Sequence, residues 1–460
     1  MSSSPSKPDT AAAQAVTSSL RTVLPLIRRL HFYAGVFVAP FILIAAITGS
    51  LYAMAPTMER FVYRDLLTVE PASETLPLSA QVAAAQGRVP ELTVTGLRPA
   101  PGPRDSTRVK FADPGLGEST ELAVFVDPHT GRVLGQEPVW FGYMPLSTWL
   151  DGLHRHLHLG EPGRLYSELA ASWLWVVALG GVTLWVVKVR GDRRRGKSSR
   201  LIRIDGATAG RARTRNWHGA VGVWILPMLL FLSATGITWS TYAGATVTAL
   251  RAEFNWQRPQ LDTALTTPGD STGPIDLDGV VRAAAGAGVA APVEITLPAS
   301  AAGAVGVAEI DEPYRMTTNA AAVDPSSLNV TGVLDYDRDY SVMAKLADWG
   351  IRMHMGLLFG WLNQLLLLGV AVALVTVIVR GYRMWWQRRP TRGSDLALGR
   401  PPARGGMRRL HPTVLVAGVV TTVAVGWFLP LLGISLVGFL LVDVVVGQVA
   451  AYRTRAQRVT

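Results

Sequence analysis

Apolar residues gather along the chain in five runs that are too long for the helices of an ordinary soluble core. A helix needs about 20 apolar residues to cross the roughly 30 Å hydrocarbon core of a bilayer. The fifth run is long enough for two crossings, and the proline at 430 breaks it because proline lacks the amide proton that a helix interior requires. The pattern therefore predicts about six transmembrane helices. The runs lie near residues 32–55, 167–188, 218–242, 357–380 and 413–450.

Two long segments between the spans show a different pattern, in which a helix-like stretch precedes strand-like stretches with partly alternating apolar and polar residues. An Asp-Pro pair follows the third strand-like stretch of each segment and predicts a turn at Asp127 and at Asp324. We therefore expect two small α+β modules, at about residues 64–140 and 255–340. The helix-like stretches are 76–87 and 277–288, and the strand-like stretches are 91–97, 107–112, 121–127, 292–297, 306–310 and 319–324.

The first half of the chain recurs in the second half. Residues 30–49 read LHFYAGVFVAPFILIAAITG, and residues 217–236 read WHGAVGVWILPMLLFLSATG. A gapless alignment of the two spans matches a histidine, a glycine, a proline and a Thr-Gly pair, and the external modules repeat in the same order. The sequence thus predicts an internal duplication. The matched residues are His31 with His218, Gly35 with Gly222, Pro40 with Pro227, and Thr48-Gly49 with Thr235-Gly236.

Charge predicts the orientation of this duplicated protein in the membrane. Residues 188–215 carry eleven Lys and Arg against two acids, whereas residues 56–151 carry eight against twelve and residues 243–352 seven against fourteen. By the positive-inside rule the short basic loops face the cytoplasm, so both modules lie outside and both termini inside. The net charge of +11 then reflects topology and contact with the lipid bilayer, and it does not indicate nucleic-acid binding.

The expected organisation is therefore a mainly α-helical, multi-pass protein of the inner (cytoplasmic) membrane with two external α+β modules. A flexible cytoplasmic tail is followed by two repeats, each with two spans around one module, by two basic loops and by a terminal helical hairpin. In order, the segments are the tail 1–20, first repeat 21–190, loop 191–215, second repeat 216–382, loop 383–412, hairpin 413–451 and tail 452–460.

The order of these segments resembles the PepSY-associated transmembrane proteins. Each half has a transmembrane helix and a PepSY-type module, and the first module ends in D-P-x-T-G. An H-R-x-L-x-L-G-x-P-G-R element then enters the next helix as LHRHLHLGEPGRLYSELAASWLWVVALGG at residues 153–181. The resemblance covers roughly residues 20–450. It implies similarity to iron-regulated inner-membrane proteins and ferric-siderophore reductases, which carry haem b and pass electrons outward to iron chelates.

Histidines stand near the membrane faces in both halves. His31 and His218 begin the first and third spans at the cytoplasmic side, and His154 and His354 precede the second and fourth spans at the outer side. A b-type haem in a helical bundle requires two imidazoles on facing helices. We therefore expect two haem b groups, one held by each pair. The chain has no cysteine, which excludes thiolate-held clusters and covalent haem attachment.

The outer pair has an alternative register, and one acidic residue has no assigned role. Aligning LHRHLHLG with MHMGLLFG matches His154 to His354, whereas aligning LHLG with MHMG makes His158 the ligand. His156 remains open as a third choice. Asp443 lies within the last apolar run, where an ionisable group usually faces a partner. Proton transfer and a hydrogen bond to another helix are both compatible with it.

The resulting hypothesis is a transmembrane ferric reductase that acts on ferric-siderophore or other ferric chelates. The sequence has no G-x-G-x-x-G motif at a strand-to-helix junction, so the electrons would come from a separate flavoprotein or from quinol. Two alternatives belong to other classes. One is a membrane-anchored PepSY binding or regulatory protein without redox activity. The other is a transporter of an iron-related substrate, which the duplication favours and the parallel orientation of the repeats disfavours.

Overall fold

A computed structural model of the chain describes residues 10–197, 199–206, 208–265, 274–388 and 411–459. Its helices are α1 (Thr10–Phe37), α2 (Ala39–Ala53), α3 (Ala55–Val62), α4 (Arg64–Leu67), α5 (Leu78–Gln86), α6 (Pro145–His156), α7 (Glu161–Arg194), α8 (Gly210–Thr238), α9 (Tyr242–Glu253), α10 (Leu277–Gly286), α11 (Tyr336–Asp339), α12 (Val342–His354), α13 (Gly360–Trp386), α14 (Pro412–Phe428) and α15 (Pro430–Val459). Its strands are β1 (Thr93–Arg98), β2 (Thr107–Ala112), β3 (Thr120–Val126), β4 (Val133–Trp140), β5 (Val293–Thr296), β6 (Val305–Glu309), β7 (Ala320–Val323) and β8 (Val330–Leu334).

Every apolar run predicted as a span is helical over most of its length. Among the described residues, four helices (α7, α8, α13 and α15) are long and apolar enough to cross a membrane. A fifth span exists if α1 and α2 are counted together, although the two are bent by 57° at the break between them. Helix α14 is also apolar but has only 17 residues. These helices are compatible with a multi-pass membrane protein.

The first apolar run differs from the prediction because it forms two helices. Pro40 has no amide proton to donate to the carbonyl of Val36, four residues earlier, and its ring crowds that carbonyl. The hydroxyl of Tyr382 donates to the Val36 carbonyl oxygen at 2.8 Å, and the hydroxyl of Tyr166 donates to Phe41 O at 2.6 Å. Side chains from two other helices therefore satisfy backbone groups around the break.

The chain folds into two compact units. We call residues up to 47, 155–249 and 369 onward the helical unit, and residues 48–154 and 250–368 the sheet unit. In the helical unit, α7 packs along α8 and α1, and α15 packs against α7 and α14. Their shared core is apolar and includes Ala34, Trp173 and Leu229.

The sheet unit contains one antiparallel sheet of eight strands in the order β4-β3-β2-β1-β5-β6-β7-β8. Each half of the chain supplies four strands to it and packs one helix, α5 or α10, against it. The predicted helix and the three predicted strands of each half are present, and a fourth strand, β4 or β8, follows them. Helices α5 and α10 share a hydrophobic core with one face of the sheet, which includes Leu97, Phe111 and Val307. The two predicted modules thus bury their apolar residues in a common core.

The two halves of the sheet meet where β1 pairs with β5. The register places Gly96 opposite Thr296 and Leu97 opposite Ile295. A Cβ atom at Gly96 would lie 2.3 Å from the Ile295 carbonyl oxygen, so the strands approach this closely only because position 96 has no side chain.

Charged residues stabilise the same junction on the face of the sheet that does not contribute to the hydrophobic core shared with α5 and α10. Arg98 of β1 forms a salt bridge with Glu294 of β5, and Lys110 Nζ lies 2.6 Å from Glu294 Oε1. Burial alone would raise the pKa of Glu294, but Arg98 and Lys110 outweigh burial and lower it. The junction therefore combines backbone hydrogen bonds with a partly buried ionic network.

Candidate functional site

The structure brings His31 of α1 and His218 of α8 together in the helical unit. Their ring centroids are 6.2 Å apart, and the ring planes are inclined at 76°. Each histidine comes from a different half of the chain, at the position where the two apolar spans align. The predicted inner pair is therefore a close pair in space.

Hydrogen bonds to backbone carbonyls fix the tautomer of both rings. The distance from His31 Nδ1 to Val177 O is 3.0 Å, and that from His218 Nδ1 to Val377 O is 2.9 Å. Because a carbonyl oxygen only accepts, each Nδ1 carries the proton and donates it. In the neutral ring Nε2 then holds the free lone pair, which is the arrangement that a metal-ligating histidine needs.

Glycines of α7 and α13 leave room for these rings. A Cβ atom at Gly181 would lie 2.8 Å from His31 Cε1, and one at Gly381 would lie 3.6 Å from His218 Cε1. Any side chain at Gly181 would push the His31 ring aside. The glycine therefore sets how closely α7 approaches this histidine.

The outer pair, His154 of α6 and His354 of α12, lies in the sheet unit. The ring centroids are 6.5 Å apart and the planes are inclined at 48°. His154 Nδ1 lies 3.0 Å from Thr48 Oγ1, and a Cβ atom at Gly49 would lie 2.9 Å from His154 Cε1. The Thr-Gly pair that recurs in the aligned spans thus contacts a candidate ligand in the first half, a role that could not be assigned from the sequence.

The alternative outer ligand, His158, lies beyond the end of α6. It has a left-handed backbone with φ of 54°, and its ring contacts that of His156 with centroids 5.6 Å apart. Helix α6 ends at His156, so the helical face that His154 and His158 would share does not extend to residue 158. The geometry within the sheet unit favours the register in which His154 is the partner of His354.

The distance between the two rings of each histidine pair can be compared with that of two imidazoles bound to one metal. Metal–imidazole nitrogen bonds are roughly 2 Å long, so two rings on opposite sides of one metal have centroids about 6 Å apart. Both pairs meet this condition. In the described part of the chain, no group of three or more His, Asp or Glu residues can hold a bare metal ion. Each pair would supply two imidazole nitrogens to a metal, and any further ligands would have to come from another group, such as a porphyrin.

Asp443 of α15 forms a salt bridge with Arg29 of α1. The guanidinium of Arg29 also lies 5.4 Å from the centre of the Tyr33 ring. Of the two roles that the sequence left open for Asp443, the structure displays the hydrogen bond to another helix. The sequence did not indicate that Arg29 is the partner of Asp443, because the two residues are 414 positions apart.

Comparison of the sequence with known proteins identifies a family. Residues 28–388, which include both histidine pairs, match the model of the PepSY-associated TM region. A relative from Pseudomonas aeruginosa, named Uncharacterized protein PA4219, is 34% identical over 93 residues, which are 20% of this chain and 21% of that protein. That match spans about a fifth of either protein. Because the family match covers more than half of the sequence, the chain belongs to the PepSY-associated transmembrane family.

Proposed function

We propose that this protein is a haem b electron-transfer protein of the cytoplasmic membrane. It would reduce ferric siderophores or other ferric chelates on the outer side with electrons from a flavoprotein or quinol. The observation that carries the proposal is the pair of bis-histidine arrangements, each built from both halves of the chain. Haem supplies one-electron chemistry when bound.

The residues of the chain would hold and orient two such groups. His31 and His218 would ligate one iron, and His154 and His354 the other. The hydrogen bonds from Nδ1 to Val177 O and from Nδ1 to Val377 O keep each Nε2 available and raise the basicity of the imidazole. A reductase of this kind lowers the charge of a chelated ferric ion, and oxygen-donor ligands bind the resulting ferrous ion less tightly.

The topology that accompanies this function has six crossings with both termini in the cytoplasm. Helices α1 and α2 together form the first crossing, and the hairpin of α14 and α15 supplies the last two. The proposal rests on the basic loops at residues 188–215 and 380–409, which the positive-inside rule places at the cytoplasmic face. His31 and His218 then lie at the side where electrons enter.

Absorbance spectroscopy of the purified protein tests the proposal. Haem-replete protein should show b-type bands that sharpen on reduction with dithionite. We expect His31→Ala or His218→Ala to remove one haem, and His154→Ala or His354→Ala to remove the other. His411→Ala is a matched control because this histidine is exposed and its ring lies 2.8 Å from Thr413 Oγ1, away from both histidine pairs in the sequence. Protein without haem bands, or with unchanged haem content in all four variants, would contradict the proposal.

A further inference from the structure

Four arginines lie on the side of His31 and His218 that the proposed topology assigns to the cytoplasm. We call Arg28 of α1, Arg211 and Arg215 of α8 and Arg388, two residues beyond α13, the arginine cluster. All four are exposed. Burial, followed by the charges of Arg211, Arg28 and Arg215, lowers the pKa of Arg388. Arg388 therefore lies within reach of the positive charges of the other three arginines.

The cluster follows the same duplication as the histidines. Arg28 precedes His31 by three residues, and Arg215 precedes His218 by three residues. Residues three apart on a helix lie on one face about one turn from each other. Each arginine therefore lies on the same helix face as its histidine, one turn closer to the N-terminus of the helix. Arg211 lies one further turn along the same face of α8.

The cluster has no counter-charge in the described part of the chain. None of its members forms a salt bridge or a side-chain hydrogen bond there. Lys188, which aligns with Arg388 in the register that matches His154 to His354, is by contrast neutralised. Its Nζ lies 2.8 Å from Asp192 Oδ2 and 3.2 Å from Ser199 Oγ. Among the described residues, the arginine cluster is therefore open to an anionic ligand.

We infer that the arginine cluster binds the two propionate carboxylates of the porphyrin held between His31 and His218. This inference rests on the proposed function and assigns further residues to it. A porphyrin of the b type carries both carboxylates on one edge, and the arginine guanidinium matches a carboxylate with two parallel hydrogen bonds. The same helices, α1 and α8, supply both the histidine and the arginine on one face. An anionic lipid headgroup could also meet the cluster, but it would not require this register with the histidines.

The inference is tested by changing the arginines of the protein and the carboxylates of the cofactor separately and in combination. Full-length protein carrying His354→Ala, which confines haem to the inner pair, is prepared without haem in detergent. It is then titrated with haem and with haem dimethyl ester, whose carboxylates are blocked. Replacing Arg28 and Arg215 by Gln should weaken haem binding by roughly tenfold or more, the equivalent of one lost charge-assisted hydrogen bond. The affinity for the dimethyl ester should stay the same.

Arg213→Gln is the matched control, because Arg213 is an exposed arginine of the same helix on a different face from Arg211 and Arg215. It should leave both affinities unchanged. Equal losses for haem and its ester, or no loss for either, would overturn the inference. In that case, reduced binding of the double variant to anionic lipid vesicles would identify a headgroup site. A parent protein that takes up no haem at His31 and His218 would instead overturn the proposed function, and this inference with it.

Discussion

The candidate ligand histidines differ in the group that is hydrogen-bonded to Nδ1, the ring nitrogen that would not bind the metal. His31 and His218 donate from Nδ1 to backbone carbonyls of neighbouring helices, and no substitution can remove such an acceptor. His154 instead meets the hydroxyl of Thr48. If Nε2 of His154 ligates a metal, its Nδ1 carries the proton and donates a hydrogen bond to Thr48 Oγ1. In the outer pair, the group hydrogen-bonded to Nδ1 is therefore a side chain, which mutation can change.

If the two proposed haems are bound, we expect Thr48→Val to alter the outer haem and leave the inner one unchanged. Valine has nearly the same shape but no acceptor, so the imidazole of His154 becomes a weaker donor to ferric iron. The midpoint potential of the outer haem should rise, by about 60 mV for each tenfold change in the ratio of ferric to ferrous affinity. Potentiometric titration measures this shift. Thr48→Ser keeps the hydroxyl and should restore the original value, and a shift in both haems would contradict the assignment.

Local residue patterns were predictable from the sequence, whereas contacts between distant segments were not. The Asp-Pro turns illustrate the first class, because Asp127 accepts hydrogen bonds from His129 N and Thr130 Oγ1 at 2.9 and 2.7 Å. Those partners lie within three residues. The contact between Thr48 and His154 joins segments 106 positions apart, and the sequence showed only that Thr48 recurs.

At the scale of elements, the break between α1 and α2 shows how a membrane helix tolerates proline. The carbonyl of Val36 loses its helical donor at Pro40, and in an apolar region an unpaired carbonyl is costly. Tyr382 supplies the replacement. The apolar run itself predicted one continuous span, because hydrophobicity does not report whether a neighbouring helix will provide a hydroxyl.

We expect Tyr382→Phe to destabilise the helical unit by about 1–3 kcal/mol, the cost of leaving a buried acceptor unpaired. Thermal unfolding of the detergent-solubilised protein measures the effect. Pro40→Ala provides the matching background, because alanine restores an amide donor for Val36 O. In that background the loss of the Tyr382 hydroxyl should cost much less. Equal costs in the two backgrounds would show that the hydroxyl does not compensate for the proline.

The junction between β1 and β5 is a second element-scale feature, and its ionic part gives a pH dependence. The folded pKa of Glu294 is lowered, so its stabilising contribution is present above the usual glutamate pKa of about 4.3 and is lost as the pH falls through the folded value. We expect Glu294→Gln to destabilise the protein by about 1–3 kcal/mol near neutral pH, between the values for surface and buried pairs.

Denaturant unfolding at neutral and acidic pH tests this prediction. The difference between wild type and Glu294→Gln should shrink below pH about 4, where the native carboxylate becomes protonated as well. Glu118→Gln removes an exposed carboxylate from the loop between β2 and β3 and should have little effect at either pH. A wild-type advantage that grows in acid would contradict the assignment.

Across the whole molecule, the duplication predicted more than any single motif did. It identified which histidines correspond, and the structure places corresponding residues in pairs within each unit. It did not predict that the two modules share one sheet, because an alternating strand pattern specifies which face is buried but not which strand lies at the edge. The decisive residue, Gly96, reads in the sequence as an ordinary strand glycine.

The β1–β5 junction has a consequence for how such a protein could have arisen. A chain with a single repeat would leave β1 as an unpaired edge, which readily pairs with another chain. Two copies could join β1 to β1 in antiparallel fashion and complete an eight-stranded sheet as a two-fold symmetric dimer. Each histidine pair, with one member from each repeat, would then span the subunit boundary. Fusion of the two genes would make a concentration-dependent assembly a permanent one, and would free the halves to diverge.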